Sequence, residues 1–299
     1  MVTDEVLIRE GAGLHDRFGV ERADQFGQAL PSLVAELTDL WSLSIEKFLD
    51  AGATSIVLSA SDDAGTPAVL KISPDQEFLA RQVTMLRHLT PTTRVPAVLR
   101  SAHSAGAVLL ERVLPGHTLS SADAPLPTVQ DWAALLHDLH AAPAEGVTDL
   151  LDDRCEEMFE RIGQRQRNPV VRERVPDIVW AETVDLCREL LGSNAEKVVI
   201  HGDLHLGNVL ASDEHGLVAI DPKLCLGDPC FDMVDFAMVE GGPAEIASCA
   251  GQLAEIVGVD RSRMLAWTKV NAVVSSISYL TFYGPEERSK NLLAFASLT

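Results

Sequence analysis

The stretch Val199-Ile-His-Gly-Asp-Leu-His-Leu-Gly-Asn-Val-Leu210 decides how this 299-residue chain folds. Its apolar run ends at Ile200, and polar side chains then crowd a short segment: His201, Asp203, His205 and Asn208. A buried strand that runs into a polar loop holds reactive groups on a rigid frame. The pattern therefore predicts a functional loop at residues 201–208.

Two further strands follow this loop. One begins at Asn208, the other ends at Ile220, and a turn at residues 213–216 joins them. A four-residue turn would place Asn208 opposite Asp221, with Asp203 on the adjoining loop. An amide oxygen beside a carboxylate suits Mg²⁺, and a second carboxylate nearby can accept a hydroxyl proton. These are the parts that phosphoryl transfer needs.

The two histidines of the loop allow another interpretation. His201, Asp203 and His205 in the order His-x-Asp-x-His resemble a fragment of a metallohydrolase site. The sequence has neither the earlier Asp-x-His nor the later Gly-Asn-His that a metallophosphoesterase would need. We therefore expect both histidines to brace the loop by hydrogen bonds.

The first third of the chain has the alternation of a β-sheet. Strands are predicted at residues 44–49, 55–59, 67–72, 94–100 and 107–113. An amphipathic helix is predicted at 29–40, and another from the Ser73 cap to about residue 89. Lys71, one of six lysines, lies inside an apolar strand, where it is well placed to contact phosphates. Considered alone, the position of Lys71 is equally typical of a lysine whose side chain extends along the sheet to place its ammonium at the surface.

Beyond Leu114-Pro-Gly116 the chain is mainly helical, apart from the strands of residues 198–220. Helices are predicted at 128–141, 151–166 and 177–191, with several more after 243. We therefore expect an α+β protein of two lobes. The first, residues 1–113, has a leading helix and a small antiparallel sheet; the second, residues 114–299, is helical and carries the functional loop. Ligands commonly bind in the cleft that two lobes create.

Three motifs together resemble a known family. His201-Gly-Asp-Leu-His-Leu-Gly-Asn208, the Ile220-Asp221 pair and Gly227-Asp-Pro-Cys-Phe-Asp232 are similar to the aminoglycoside phosphotransferases, whose fold is similar to that of protein kinases. The Asp221-Pro-Lys tail and Gly227-Asp-Pro look most like the streptomycin 6-phosphotransferase and hydroxyurea phosphotransferase branch. The resemblance covers residues 42–236. It implies a protein-kinase-like fold and a phosphotransferase reaction that uses ATP and Mg²⁺.

The same resemblance implies roles for the loop residues. Asp203 would be the catalytic base, and Asn208 and Asp221 would bind magnesium. Asp228 and Asp232, in the third motif, would close and brace the loop.

The resemblance also implies a nucleotide site. Lys71 would contact the nucleotide phosphates, and the backbone of residues 110–113, with Glu111 and Val113, would form the hinge that grips adenine. Asp50-Ala-Gly-Ala-Thr-Ser55 would be the phosphate loop, in which backbone N–H groups and hydroxyls such as that of Ser55 can cap phosphates.

The first-lobe helix departs from the family pattern. Family members usually pair the strand lysine with a glutamate on this helix, whereas alignment puts Gln82 at that position. Glu77 lies five residues earlier on a different helical face, so it is not an obvious substitute.

The composition limits the partners. A formal net charge of −20 disfavours nucleic acid, and no apolar run is long enough to span a membrane. The five cysteines form no CxxC pair, and the start carries no secretory signal, so we expect a cytoplasmic protein with reduced thiols. The acidic balance favours a cationic small-molecule acceptor. Three glutamates lie at helical spacing: Glu156, Glu157 and Glu160. They form either a solvated helix face or the lining of a site for such a cation.

The expected activity is ATP- and Mg²⁺-dependent phosphorylation of a hydroxyl on a small molecule, an aminoglycoside such as streptomycin, which inactivates the antibiotic. A tuberactinomycin peptide such as viomycin or capreomycin, hydroxyurea, or a metabolic sugar or amino alcohol are alternative acceptors. A nucleotide-binding pseudokinase is an alternative outside enzymes, motivated by Gln82. A protein kinase is disfavoured, because only about ten residues separate Asp221 from the helix near Phe231.

Overall fold

The strands of the first third of the chain form one antiparallel sheet. A computed structural model describes residues 2–52, 54–121, 124–193 and 195–298. The sheet has the order β1-β2-β3-β5-β4. Its strands are β1 (Leu43–Gly52), β2 (Ser55–Asp62), β3 (Pro67–Ile72), β4 (Val98–Ala102) and β5 (Ala107–Glu111). The five predicted strands are all present, although β4 begins four residues later than predicted.

Three helices precede the sheet: α1 (Asp4–Ala12), α2 (His15–Phe18) and α3 (Val20–Trp41). The predicted helix at 29–40 is the second half of α3, and α1 and α2 were not predicted. Buried α3 residues such as Phe26, Leu30 and Leu37 pack in one cluster with Leu58 and Leu70 of the sheet. Each such side chain contributes about 1.5–3 kcal/mol of burial free energy, so the helices stabilise one face of the sheet.

The next helix, α4 (Gln76–Leu89), ends where the sequence predicts but has a different cap. Asp75 accepts the Phe78 N–H at 3.0 Å, which is the N-cap bond expected of an Asx residue. Ser73, the predicted cap, instead donates its hydroxyl to the Thr54 carbonyl at 2.7 Å. The helix therefore starts two residues later than a Ser73 cap would allow, because that hydroxyl ties the helix entrance to the start of β2.

The rest of the chain is mainly helical, and the three helices predicted at 128–141, 151–166 and 177–191 are present within two residues. The helices are α5 (Val129–His140), α6 (Leu151–Gln166), α7 (Pro169–Arg174), α8 (Asp177–Gly192), α9 (Val234–Ala237), α10 (Pro243–Val257), α11 (Arg261–Phe282) and α12 (Glu287–Ala296). Two small sheets lie among them, in the orders β6-β8-β9 and β10-β7. Their strands are β6 (Pro115–Thr118), β7 (Val198–Ile200), β8 (Val209–Ser212), β9 (Gly216–Ala219) and β10 (Cys225–Gly227).

The described chain divides into two compact units. The first holds residues 1–116 with 212–214, and the second holds 117–211 with 215–299. An antiparallel sheet followed by a mainly helical remainder confirms the predicted α+β class. Across the residues that the structure describes, no helix combines the length and the apolar character that a membrane span requires.

Candidate active site

The loop after β7 is held in place by a buried carboxylate, Asp232. Its two oxygens accept the backbone N–H groups of His201 at 2.6 Å and Gly202 at 2.9 Å. The ring of His140, at the end of α5, contacts the same carboxylate at 3.2 Å. A carboxylate that receives several donors makes strong, directional bonds, so Asp232 fixes the start of the loop. This is the bracing role that the sequence predicts.

The electrostatics of this buried cluster are set by competing effects. Burial acts to raise the pKa of the Asp232 carboxyl, but the hydrogen bond and charge of His140, with His201 and the Gly202 N–H, hold it below its ordinary value. Burial lowers the pKa of the His201 ring. This effect outweighs the negative charges of Asp232 and Asp203, which act to raise that pKa. His201 is therefore a neutral ring in the folded protein.

Both histidines of the loop are used in local hydrogen bonds. The His201 Nε2 lies 3.0 Å from the Ile220 carbonyl, and its Nδ1 accepts the Asp203 N–H at 3.3 Å. The His205 Nδ1 accepts the Gly207 N–H at 3.1 Å and caps a short 3-10 turn, Leu206–Asn208. These contacts confirm that the histidines brace the loop.

The backbone of the loop also lies very close to a neighbouring segment of the chain at Gly202. This residue has φ of 77°, and a Cβ there would lie 2.3 Å from the Lys223 carbonyl oxygen. The Lys223 N–H in turn donates to the His201 carbonyl at 2.9 Å. Only glycine fits both the conformation and the space, so the loop and the segment before β10 are locked together.

Asp203 lies between two side chains that orient it. The Lys223 Nζ is 2.8 Å from Asp203 Oδ2, and both side chains are partly exposed. The Asn208 Nδ2 donates to the Asp203 backbone carbonyl at 2.9 Å and approaches Asp203 Oδ2 at 3.4 Å. Because the amide nitrogen of Asn208 points to Asp203, its oxygen points away and can accept another partner.

The predicted pairing of Asn208 with Asp221 is wrong by one residue. The Ile220 N–H donates to the Asn208 carbonyl at 2.8 Å, so Ile220 is the residue opposite Asn208. The turn has three residues, 213–215, because β9 starts at Gly216, and this shortens the register by one. Asp221 follows directly with φ of 56°, so the chain turns left-handed as it leaves the strand. The structure nevertheless brings the segments of Asp203, Asn208 and Asp221 together.

Asp228 fixes the segment that follows β10. Its carboxylate accepts Arg263 Nε at 2.5 Å, Trp267 Nε1 at 2.6 Å and the Cys230 N–H at 2.9 Å. Asp228 is 5% exposed, and its ion pair with Arg263 ties the segment to α11. The structural role predicted for Asp228 is confirmed.

In the first unit, Lys71 is buried in the middle of the sheet. It pairs with Val57 of β2 and Val108 of β5, on the face opposite the one packed by Leu70 and Ile72. Its residue exposure is 5%, which excludes the alternative of a lysine that reaches the surface. This position is compatible with a phosphate contact, because a buried ammonium is stabilised by an opposite charge.

Gln82 and Glu77, the two residues considered as partners of the strand lysine, both lie on α4. Gln82 is 6% exposed, whereas Glu77 is exposed and lies 3.4 Å from His103. The structure therefore directs Glu77 toward His103, and Gln82 is the buried polar residue of this helix.

The other predicted nucleotide contacts lie at strand ends of the first unit. Ser55 begins β2 and is fully buried, with its hydroxyl 3.4 Å from that of Thr54. In the predicted phosphate loop, Ala53 lies outside the described residues.

The predicted hinge follows β5. Glu111 ends that strand, and its side chain accepts the Ala97 N–H at 3.1 Å. The Glu111 N–H also donates to the Ala97 carbonyl, so this residue is held from both sides. Val113 lies in the segment that follows, where a Cβ on Gly116 would meet the Val113 carbonyl at 2.2 Å. The segment predicted as the hinge is thus anchored at Glu111 and tightly turned after Val113.

Sequence reasoning missed two contributors to the loop. Lys223 was noted only as part of the Asp221-Pro-Lys tail, although its ammonium pairs with Asp203. His140 lies outside the three sequence motifs, yet its ring contacts the Asp232 carboxylate. The tail motif is a signal that could have identified Lys223. His140 and Asp232 are 92 positions apart in the sequence, and no local sequence pattern predicts their contact.

Comparison with solved structures defines the class of the fold. An aminoglycoside phosphotransferase in ternary complex with ADP and hygromycin B matches with a TM-score of 0.61 at 16% identity, covering 89% of this chain and 99% of that one. The choline kinase of Streptococcus pneumoniae matches with a TM-score of 0.59 at 14% identity, covering 89% and 98%. The chain therefore has the protein-kinase-like fold of small-molecule kinases.

The family follows from the sequence. The model of the aminoglycoside/hydroxyurea antibiotic resistance kinases matches residues 40–281, and the chain belongs to this family. A streptomycin 6-kinase of Streptomyces glaucescens is 32% identical over 252 residues, 80% of each chain. A hydroxyurea phosphotransferase of Kitasatospora aureofaciens is 31% identical over 261 residues, 84% of this chain and 74% of that one. The chain is thus an enzyme of the kinase class, a phosphotransferase with a hydroxyl group as acceptor.

Proposed function

We propose that the protein transfers the γ-phosphoryl group of ATP to a hydroxyl of a streptomycin-like aminoglycoside and so inactivates it. One observation carries the chemistry: a partly exposed carboxylate, Asp203, on a loop fixed by the buried Asp232 and paired with the Lys223 ammonium. The choice of acceptor is supported by the similarity to streptomycin 6-kinases.

Asp203 is the proposed catalytic base. Its carboxylate would accept a hydrogen bond from the acceptor hydroxyl, aim that oxygen at the γ-phosphorus and take up the proton. As the new P–O bond forms, the bond from the γ-phosphorus to the bridging oxygen breaks and ADP leaves with that oxygen. The fixed backbone of the loop reduces the reorganisation that the reaction needs. Lys223, beside it, is the proposed cation that keeps the Asp203 carboxylate aimed and offsets negative charge gathering on the transferred group.

Asn208 and Asp221 are the proposed magnesium ligands. Both offer oxygen, the donor type that Mg²⁺ prefers, and the Asn208 amide nitrogen is already turned toward Asp203, which leaves its oxygen for a metal. When bound, Mg²⁺ would neutralise charge on the ATP phosphates. The donor set therefore fits the metal.

The first unit is the proposed nucleotide lobe. Lys71 would hold the ATP phosphates, Ser55 would contribute to the loop that caps them, and the backbone at Glu111 and Val113 would receive adenine. The burial of Lys71 in the sheet supports this assignment, because a buried ammonium is stabilised by negatively charged groups such as phosphates. The lobe boundary is proposed at residue 113, and the helical lobe from 114 onward is proposed to receive the acceptor.

A cationic acceptor and a cytoplasmic location complete the proposal. The net charge of −20 favours approach of a cation and repels nucleic acid. All five cysteines carry free thiols, as is usual in a reducing compartment that supplies ATP.

The direct test is incubation of the purified protein with ATP, Mg²⁺ and a panel of streptomycin, other aminoglycosides, viomycin, capreomycin and hydroxyurea. We expect ADP release together with a streptomycin product heavier by one phosphate, and neither without Mg²⁺. Phosphorylation of another panel member, with streptomycin unchanged, would overturn the choice of acceptor. ADP release without any phosphorylated product would contradict transfer to these acceptors.

Hydroxyurea is the second candidate acceptor. The similarity to a hydroxyurea phosphotransferase, 31% over 261 residues, supports it nearly as well as streptomycin. The ratio of kcat/KM for the two compounds decides between them, because both assays use the same enzyme and donor.

A further inference from the structure

Asp235, on the short helix α9, is an exposed residue within a buried turn of the second unit. The residues at 233, 234 and 236–238 are all buried, whereas Asp235 is exposed. Within the part of the chain that the structure describes, neither a hydrogen bond nor an ion pair reaches its carboxylate. None of the roles above uses this side chain, so the carboxylate is available to a ligand.

Helical geometry places Asp235 on the side of its turn that faces the catalytic loop. Asp235 follows Asp232 by three residues, and the backbone between them is helical. Side chains three residues apart lie on the same side of a helical segment. Asp232 uses that side to bind the backbone N–H groups of His201 and Gly202. Asp235 therefore faces the same loop, one turn further along the chain.

The turn that carries Asp235 is held in place by packing. Phe236, the next residue, stacks on Trp132 of α5, with ring centroids 4.7 Å apart and planes at 13°. The Met238 N–H donates to the Val234 carbonyl at 3.1 Å and closes the turn. The backbone at Asp235 is therefore ordered before a ligand arrives, which lowers the entropy that binding costs.

The surroundings of Asp235 disfavour a negative charge in the absence of a ligand. Neighbouring protein displaces bulk water, and the charges of Asp203 and Asp232 add to this effect; Arg288 of α12 opposes it in part, and together they raise the pKa of the Asp235 carboxyl to about 7. A carboxyl group that is open to solvent yet has lost much of its hydration lies in a recess of the surface. A cation bound in this recess would relieve the repulsion between the carboxylates.

We propose that Asp235 binds a guanidinium of the acceptor, on the carbon next to the one whose hydroxyl Asp203 deprotonates. The inference rests on the proposed function, because it takes Asp203 as the base. A carboxylate accepts two parallel N–H bonds from a guanidinium, which fixes the orientation of the bound group as well as its position. Asp235 is thus a specificity-determining residue beside the base.

The chemistry of the two candidate acceptors makes this residue selective. Streptomycin contains streptidine, a cyclitol in which each guanidinium-bearing carbon is bonded to a carbon that carries a hydroxyl. Such a ring can present a hydroxyl to Asp203 and the neighbouring guanidinium to Asp235 at the same time. Hydroxyurea is neutral and offers no cation, so Asp235 favours the aminoglycoside.

The first test is calorimetric titration of the full-length protein at pH 8 with streptidine and with scyllo-inositol, the same ring with hydroxyls in place of both guanidinium groups. We expect streptidine to bind more tightly than scyllo-inositol. Asp235→Asn should weaken streptidine binding by about 10- to 100-fold. Glu255→Gln removes one negative charge from an exposed position on α10 and should leave the affinity within about twofold. Asp235→Glu keeps the charge and should recover part of the affinity.

Steady-state kinetics separate recognition from a structural role. Asp235→Asn should raise the KM for streptomycin by about 10- to 100-fold and leave the KM for ATP within about twofold, whereas a disturbed fold would raise both. In the wild type, the KM for streptomycin should rise about tenfold from pH 8 to pH 6, as the Asp235 carboxyl takes up a proton and loses its charge. Asp235→Asn should lack that rise, and the wild-type profile provides the test if the variant does not fold.

The outcomes distinguish this inference from the proposed function. Equal streptidine affinity in the wild type and Asp235→Asn, or no streptidine binding up to about 20 mM, would overturn the inference. Phosphorylation of streptomycin with an unchanged KM in Asp235→Asn would overturn the inference and leave the proposed function standing. Streptidine binding that depends on Asp235, without phosphoryl transfer to streptomycin, would support the guanidinium site and count against the proposed function alone.

Discussion

Asp203 is positioned by neighbours on both sides. The Lys223 ammonium contacts its carboxylate, and the Asn208 amide contacts its backbone carbonyl. Neither contact encloses the carboxylate, which remains partly exposed to an incoming hydroxyl. An aspartate that is aimed but accessible is what a base in phosphoryl transfer requires.

Lys223 provides a prediction at this scale. Lys223→Met removes the cation that orients Asp203, and we expect kcat for the acceptor to fall by about 10- to 100-fold with little change in the KM for ATP. Lys223→Arg retains a cation and is the matched control, with a smaller loss. Steady-state kinetics on both variants decide the point, and a wild-type kcat in Lys223→Met would refute the role.

At the scale of elements, the join between the loop and the segment before β10 depends on one glycine. Gly202 has φ of 77° and lies where a Cβ would overlap the Lys223 carbonyl. Gly146 has φ of 82° with no atom within 4 Å of the same added carbon, so it shares the conformation without the contact.

The two glycines form a matched pair of variants. Gly146→Ala should lower the free energy of unfolding by about 1–2 kcal/mol, the cost of a left-handed alanine. Gly202→Ala should cost at least about 2 kcal/mol more, because backbone must also move. Urea denaturation measures both values, and equal losses would show that the loop tolerates the shift.

The sequence predicts elements better than their connections. The five strands of the first sheet and helices α5, α6 and α8 follow from periodicity alone. The pairing of Asn208 was missed by one residue because turn length depends on where β9 begins, at Gly216 with φ of 71°. The helix entrance at Ser73 was missed because its hydroxyl has a distant partner, the Thr54 carbonyl.

The candidate site likewise contains residues that the sequence predicts and contacts that it does not predict. The motif residues Asp203, Asn208 and Asp221 are visible in the sequence because they are close together in it. The contact of His140 with Asp232 is created by packing between distant segments. A single sequence contains no local signal for such contacts.

At the scale of the whole molecule, the buried ring of His201 couples stability to pH. The pKa of His201 in the folded protein is below its ordinary value of 6.5, chiefly because the ring is buried. The unfolded chain therefore binds a proton at this histidine that the folded chain does not, and stability is lost as pH falls below about 6.5. The slope from one such group reaches about 1.4 kcal/mol per pH unit.

Two histidine variants test this coupling. We expect His201→Gln to reduce the decline in unfolding free energy between about pH 7.5 and 5.5, since the group that titrates is gone. His137 has an exposed side chain, and His137→Gln is the control for replacing a histidine at the surface. Chemical denaturation across this range gives both curves, and identical slopes in all three proteins would show that His201 does not titrate differently on folding.

The measurement that tests the central claim most directly is transfer of the terminal phosphate of ATP to streptomycin by the wild type and by Asp203→Asn, followed by product mass. Asparagine keeps the shape of the side chain but cannot take up the proton. The account predicts a wild-type product heavier by one phosphate, and a kcat about 10²- to 10⁴-fold lower in Asp203→Asn with nearly unchanged ATP binding. A variant that phosphorylates streptomycin at the wild-type rate would contradict the assignment of Asp203 as the base.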